Sequence, residues 1–313
     1  MSQETSQQRI LIFANPVAGK GKGKALADRL CAGFVAQGWE AAVVGQRPED
    51  APDQMLAEMT AAVSIGGDGT LRSVVERVTD GGRTEGPGVL VVPMGTANLM
   101  GRHLGVGVSV RGIEERAVAA IRGGKRVRLD VGEVISRNAE KGSQTQRRLF
   151  LLMVGIGLDG AIVHALDRVR KGPIGFTSYL RPAFETLAGY GFHEIEVEVD
   201  GKVVWRMGSA IAFAGNVKEY GTGFPILPLA RSDDELLDIC VLPARSATDL
   251  IEHAVAMVAG EHHLRQGVVY VKGKHVAVRS KEPVAVQADG DPAGWTPVEM
   301  KLIQTRVAFI VPS

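Results

Sequence analysis

Residues 61–78, AAVSIGGDGTLRSVVERV, place Gly66-Gly67-Asp68-Gly69-Thr70 between an apolar segment and an amphipathic run. A bare turn needs one or two glycines, so the surplus predicts that something bulky comes close to the backbone. Two other segments share this grammar. Asn15-Pro16 and VAGKGKGK follow ILIFA (10–14), and Pro93 with MGTANLMGRHLG follows GVLVV (88–92). If each apolar segment is a strand and each following run a helix, three helix N-termini offer unpaired N–H groups and a positive dipole end. That chemistry suits a polyphosphate. Two familiar phosphate motifs do not fit: GGDGT is not G-x-G-x-x-G, and GKGKGKA lacks the spacing and hydroxyl of a P-loop. Asp68 would repel a bare phosphate. It makes sense through a magnesium ion or a ribose hydroxyl, or as a turn residue holding backbone amides.

The elements needed to position these loops are legible. Over roughly the first 125 residues, apolar segments alternate with amphipathic ones. ILIFA, EAAVV (40–44), AAVSI and GVLVV read as strands. ALADRLCAGFVAQG, PEDAPDQMLAEM, the run after Thr70 and VRGIEERAVAAIRGG read as helices. Such alternation predicts a doubly wound, mostly parallel α/β sheet, in which ligands gather at the carboxyl ends of the strands. After KRVRLDVGEV the strands dominate, with helical inserts near 158–190 and 246–259, which predicts an antiparallel β-rich second domain. The expected domains are 1–129 and 130–313, with the last strands able to return toward the first. SRNAEKGSQTQRR (136–148) reads as a polar loop.

The composition sets bounds. The chain has 313 residues, enough for two domains with real cores. A formal net charge of +1 provides no global field for nucleic acid, which is not an expected partner. Two cysteines, Cys31 and Cys240, cannot build a disulfide framework and suggest a reducing, cytoplasmic setting. MSQETSQQR has no apolar signal core, and no run reaches the roughly 18 apolar residues of a membrane span. Any membrane contact is therefore expected to be peripheral, on the inner face.

Taken in order, NPVAGKGKGK, IGGDGT, PMGTAN, LDVG, GIGLDG, KGPIGFTSYL and QADGD resemble the diacylglycerol kinase catalytic-domain family. This family includes bacterial lipid kinases and sphingosine and ceramide kinases. The resemblance runs from about residue 9 to 311. GGDGT is shared with the related NAD kinases. The resemblance implies an N-terminal α/β domain, a C-terminal β-sandwich, and magnesium-dependent transfer of the ATP γ-phosphoryl group to a lipid hydroxyl. It implies a nucleotide loop running from Gly66 and Gly67 through Asp68, Gly69, Thr70, Leu71 and Arg72 to Ser73. Asn15 joins this loop, as do Gly95, Thr96 and Asn98 after the fourth strand. The catalytic carboxylates implied are Asp68 and Asp291, the latter as general base in Asp289-Gly290-Asp291. A structural magnesium ion is implied on ARSDDELLD, held by the Asp234 side chain and backbone carbonyls near Arg231 and Leu236.

The chain departs from the family at several positions. Arg72-Ser73 stand where Asn-Glu is common, Leu99 stands for an Asp, and Glu235 stands for the Gly of the metal loop. AAVVGQ offers no threonine for a nucleotide. Asp291 is one methylene shorter than the family's Glu, and a displacement of about 1 Å can cost on the order of 100-fold. Arg72 could bind phosphate directly in place of a metal-linked contact. A soluble alcohol or nucleotide as acceptor, or a non-catalytic nucleotide-binding role, stays open, as does a homodimer through edge strands.

Other residues allow two readings each. Lys20, Lys22 and Lys24 suit ATP phosphates, an anionic membrane, or plain solvation. His262-His263 has no accompanying metal motif and reads as a solvated helix end. Asp159 could line a cleft or cap a helix, and Asp130 could be a site residue or a hinge. RKGPIGFTSYLRPAFETL could meet a lipid or pack on its own domain.

Overall fold

The computed structural model describes residues 8–16, 18–80, 86–107, 109, 111–138, 144–169, 185–220 and 224–312. KGPIGFTSYL lies outside these residues, as does most of RKGPIGFTSYLRPAFETL. The chain divides into two compact units, residues 1–129 with 305–313, and residues 130–304.

The first unit is built on a six-stranded sheet. Its strands are β1 (Arg9–Ala14), β2 (Glu40–Val44), β3 (Ala61–Gly66), β4 (Gly88–Pro93), β5 (Lys125–Leu129) and β16 (Val307–Val311), ordered β2-β1-β3-β4-β16-β5. Strands β1 to β4 and β16 pair in parallel, and β5 runs antiparallel on the edge. The last strand thus belongs to the first sheet, although it follows the whole second unit in sequence. β3 and β4 are buried along their full length, as expected for the interior of a parallel sheet.

Helices α1 (Ala18–Gly21), α2 (Gly23–Val35), α4 (Asp68–Thr79), α5 (Leu99–His103) and α6 (Ile113–Gly123) follow the strands. Leu26, Leu30 and Phe34, spaced by four on α2, are buried with Ile10, Ile12 and Ile65 of the sheet. The helix expected over PEDAPDQMLAEM is broken. It consists of a 3₁₀ turn at Pro48–Asp50 and a single turn, α3 (Asp53–Leu56). Pro52 between them lacks an N–H and holds Ala51 extended, at φ −67° and ψ 130°, so no helix can run through.

The second unit contains β6 (Gly132–Asn138), β7 (Gln144–Phe150), β8 (Met153–Ile156), β9 (Glu194–Val199), β10 (Lys202–Gly215), β11 (Leu237–Pro243), β12 (Val269–Gly273), β13 (His275–Ser280), β14 (Ala285–Ala288) and β15 (Asp291–Leu302). Pairings β10-β8-β14-β15-β13-β9 return to β10 and close a ring, so the sandwich has a barrel-like character. The long β10 makes closure possible by pairing with β9 through its first half and with β8 and β11 through its second. The core is mostly aliphatic, with Ile156, Val197, Ile239 and Val286 buried alongside Phe150. Helix α7 (Leu158–Val169) begins the first helical insert. The second insert is α8 (Ala247–Val258), opened by a capping box in which Ser246 and Asp249 each accept the other's backbone N–H.

Candidate functional site

In the first unit the ends of β1, β3 and β4 are stitched together. Asn15 N donates to Ile65 O (3.0 Å), Met94 N to Gly66 O (2.8 Å) and Gly19 N to Met94 O (3.2 Å). The glycines serve this stitching first. A Cβ on Gly95 would lie 2.5 Å from Gly67 Cα, and one on Gly66 would lie 2.4 Å from the Thr70 hydroxyl. Gly19, at φ +58°, would drive a Cβ into the Met94 methyl. The surplus of glycine therefore reflects close approach of the loops to each other as well as room above them.

Asp68 opens α4, and both of its oxygens are engaged. Oδ1 accepts Met100 N (3.0 Å) and Oδ2 accepts Leu99 N (3.1 Å) at the start of α5. It holds backbone amides, and this places its charge against two N–H donors. Each oxygen keeps another lone pair, so a ribose hydroxyl or a hydrated cation is still compatible. Asn98 adopts φ 49° and clasps Gly95, accepting its N–H and donating to its C=O, both at 2.8 Å. Gly95 and Thr96 are exposed beside this clasp. Asn15, Gly66, Gly67, Asp68, Gly69, Thr70, Gly95, Thr96 and Asn98 are thus brought to one end of one sheet. Leu71 and Arg72 are buried on α4, and Ser73 is half-buried. Lys22 and Lys24 are exposed at the start of α2.

The arrangement fits a polyphosphate. The first turn of the 12-residue α4 carries N–H groups without intrahelical acceptors, and Gly67 and Gly95 present no Cβ beside it.

In the second unit, residues 289–291 form a tight turn. Asp289 sits at φ 51°, and its carboxylate accepts Leu151 N (2.7 Å), Leu152 N (2.9 Å) and Met153 N (3.1 Å). Gly290, at φ 81°, donates its N–H to Gln287 Oε1 at 2.8 Å. Asp291, half-buried, follows as the first residue of β15, opposite Ala288. Gln287 also donates to Asp159 Oδ2 at 2.8 Å from the other end of its amide. Desolvation pushes the Asp159 carboxyl up to about 7, against the opposing bonds from Gln287 and Tyr220. No sequence motif assigns Gln287 a role. Its signal was a lone polar residue inside the apolar VAVQADG.

A cavity of about 370 Å³ lies in this unit, lined by residues that include Ala161, His164, Ala165, Tyr190, Pro283 and Trp295. His164 Nε2 is 3.0 Å from Val286 O, and its ring packs on Trp295 with centroids 4.8 Å apart. Burial raises the Tyr190 phenol above its ordinary range.

The loop around Asp234 does not fit a divalent cation. Asp234 Oδ2 is 2.8 Å from Lys272 Nζ, and Oδ1 accepts Leu236 N at 3.3 Å. Arg231 pairs with Asp233. Asp130 anchors the loop: its Oδ2 accepts Glu235 N (2.8 Å) and its N–H donates to Ser232 O (2.7 Å). His262, expected at a solvated helix end, is fully buried, with Nε2 2.9 Å from Ile226 O. Among the described residues no group of three or more His, Cys, Asp or Glu could hold a metal ion, and no helix is long and apolar enough to cross a membrane.

Two family models match. The diacylglycerol kinase catalytic domain covers residues 9–134, and the YegS C-terminal NAD kinase beta sandwich-like domain covers 152–311. A diacylglycerol kinase of Bacillus subtilis (strain 168) is 25% identical over 311 residues, covering 97% of each chain. One from Staphylococcus aureus (strain bovine RF122 / ET3-1) is 24% identical, covering 98% of this chain and 93% of the relative. Among solved structures, a diacylglycerol kinase from Bacillus anthracis str. Sterne superposes with a TM-score of 0.66 at 20% identity, covering 98% of each chain. Yeast NADH kinase complexed with NADH gives 0.53 at 11% identity, covering 99% of this chain and 85% of that one. The fold is thus shared with both.

Proposed function

This chain belongs to the diacylglycerol kinase family, and from that membership we propose that it transfers the γ-phosphoryl group of ATP to the hydroxyl of a lipid such as diacylglycerol or a sphingoid base. The observation that carries the reading is the stitching of three strand-end loops around the α4 N-terminus. Backbone N–H groups of Asp68, Gly69 and Thr70 bind phosphate oxygens, and Gly67 and Gly95 let those oxygens approach. Asp68 keeps the two loops in register through Leu99 N and Met100 N. Magnesium, bound with the nucleotide, offsets phosphate charge. Asp291 accepts the proton of the attacking hydroxyl, oriented by the turn that Asp289 and Gln287 hold.

The cavity beside His164 and Trp295 supports a small-molecule acceptor, because its volume lies within the range of such sites, with Arg168, Glu185 and His193 adding polar groups to its lining. Ile251, Val255 and Val258 form an exposed row on α8, with Leu264 exposed beyond it, and support contact with a lipid surface. On this reading the enzyme is cytoplasmic and acts at the inner membrane face.

The test is phosphoryl transfer from labelled ATP to a panel of extracted lipids and soluble alcohols, with Asp291→Ala as control. Lipid labelling that the variant abolishes is expected. Labelling of soluble acceptors alone would select a different substrate, and nucleotide binding without transfer would remove the kinase reading.

A further inference from the structure

The loop at 231–238 belongs to a family in which a divalent cation is expected there, yet its oxygens are directed at a side chain of this same protein. The antiparallel register of β11 and β12 sets Lys272 directly opposite Asp238. Lys272 Nζ lies 2.8 Å from Asp234 Oδ2 and 3.1 Å from Asp238 Oδ2, and donates to Leu229 O at 3.4 Å. An ammonium has three N–H donors; those to Asp234 Oδ2 and Leu229 O are hydrogen bonds, whereas Asp238 Oδ2 meets it as a charge contact and has no hydrogen-bond partner.

The surroundings are built around that contact. The Asp238 carboxylate is 0% exposed, and its Oδ1 accepts the Tyr270 hydroxyl at 2.8 Å. Tyr270 in turn accepts Leu229 N at 3.3 Å. A fully buried carboxylate distinguishes this cluster from a surface ion pair, whose partners both remain in water. Glu235 adopts φ 61°, the left-handed conformation for which the family's glycine is suited, and its N–H is held by Asp130. The loop therefore retains the backbone course of a metal loop without the glycine.

Magnesium takes six oxygens at about 2.0–2.1 Å and calcium takes six to eight at about 2.3–2.6 Å. An ammonium 2.8 Å from Asp234 Oδ2 engages that oxygen and repels a second cation. We propose that Lys272 is a tethered replacement for the divalent cation. It neutralises Asp234 and Asp238 and fixes residues 229–238 against β11 and β12, so the loop needs no metal. Removing the ammonium opens a two-carboxylate cation site. The inference holds whatever acceptor the enzyme uses.

The experiment uses the full chain without nucleotide. Wild-type protein is expected to melt at the same temperature in EDTA as in millimolar MgCl₂ or MnCl₂. Lys272→Met keeps the length of the side chain and removes its charge. It is expected to melt several degrees lower in EDTA, to recover in MnCl₂, and to gain about one Mn²⁺ per chain by electron paramagnetic resonance. Adding Asp234→Asn is expected to abolish that gain. Should Lys272→Met fail to fold, Lys272→Gln removes the charge, keeps a hydrogen-bond donor and leaves both carboxylates in place; it serves instead, read by the same Mn²⁺ titration with and without Asp234→Asn.

Three results would overturn the proposal. They are destabilisation of the wild type by EDTA, a wild-type Mn²⁺ site that Asp234→Asn removes, and a lysine variant whose melting and Mn²⁺ binding ignore the metal. A wild-type Mn²⁺ signal that survives Asp234→Asn lies elsewhere and agrees with a metal-free loop.

Discussion

Gly67 and Gly95 meet backbone to backbone: a Cβ on Gly95 would stand 2.5 Å from Gly67 Cα, and one on Gly67 would stand 3.2 Å from Gly95 Cα. No flexible side chain is available to yield, so Gly95→Ala must separate the turns after β3 and β4. We expect nucleotide affinity to fall at least about ten-fold, equivalent to about 1.4 kcal/mol, with a lower melting temperature. Gly33→Ala is the matching control. It lies inside α2 with nothing within 4 Å of its Cβ, and should stabilise by about 0.5–1 kcal/mol. Calorimetric titration with a non-hydrolysable ATP analogue and thermal unfolding check both.

Asp68 divides its carboxylate between two adjacent amides, Leu99 N and Met100 N. Asp68→Ala leaves both donors without this acceptor and should cost about 1–3 kcal/mol. Asp68→Asn keeps one acceptor oxygen and should fall between variant and wild type in urea unfolding. Stabilities of both variants equal to that of the wild type would show that neither bond supports the fold.

The α/β alternation was readable because buried parallel strands and amphipathic helices leave different periodicities. ILIFA, EAAVV and GVLVV fall on β1, β2 and β4. PEDAPDQMLAEM carries a helix-like pattern of apolar residues, and Pro52 breaks it locally without erasing that pattern. The loops after β1, β3 and β4 were legible as a set because glycine marks close backbone approach. What they approach, namely each other at Gly67 and Gly95, depends on strand order, which no local pattern carries. Lys272 is the clearer case. As one lysine in VVYVKGKH it has no distinguishing neighbour, and only the register with Asp238 brings it to the metal loop. Gln287 and Asp159 likewise lie 128 positions apart in sequence.

Asp291 follows a turn whose geometry Asp289 and Gln287 fix. Asp291→Asn preserves shape and removes basicity. We expect phosphoryl transfer to fall by about 10²–10⁴-fold, the range for loss of a general base. Nucleotide affinity and melting temperature should stay close to wild type. A comparable loss of affinity or stability would assign Asp291 to structure instead.

The Asp159 carboxyl, ordinarily near 3.8, is pushed up to about 7 by desolvation. The folded protein therefore binds this proton more tightly than the unfolded chain does. The resulting stabilisation is complete below about pH 4, declines as pH rises toward 7, and is absent above that. Asp159→Asn removes the titration while keeping an acceptor for Gln287 Nε2. The variant should therefore gain on the wild type between pH 5 and pH 8 by roughly 2 kcal/mol, less than the full shift would give because Asp159 as a residue is only half-buried. Urea unfolding of both proteins at pH 5 and pH 8 measures the difference. A gap that does not change with pH would mean that Asp159 ionises in the fold as it does in water.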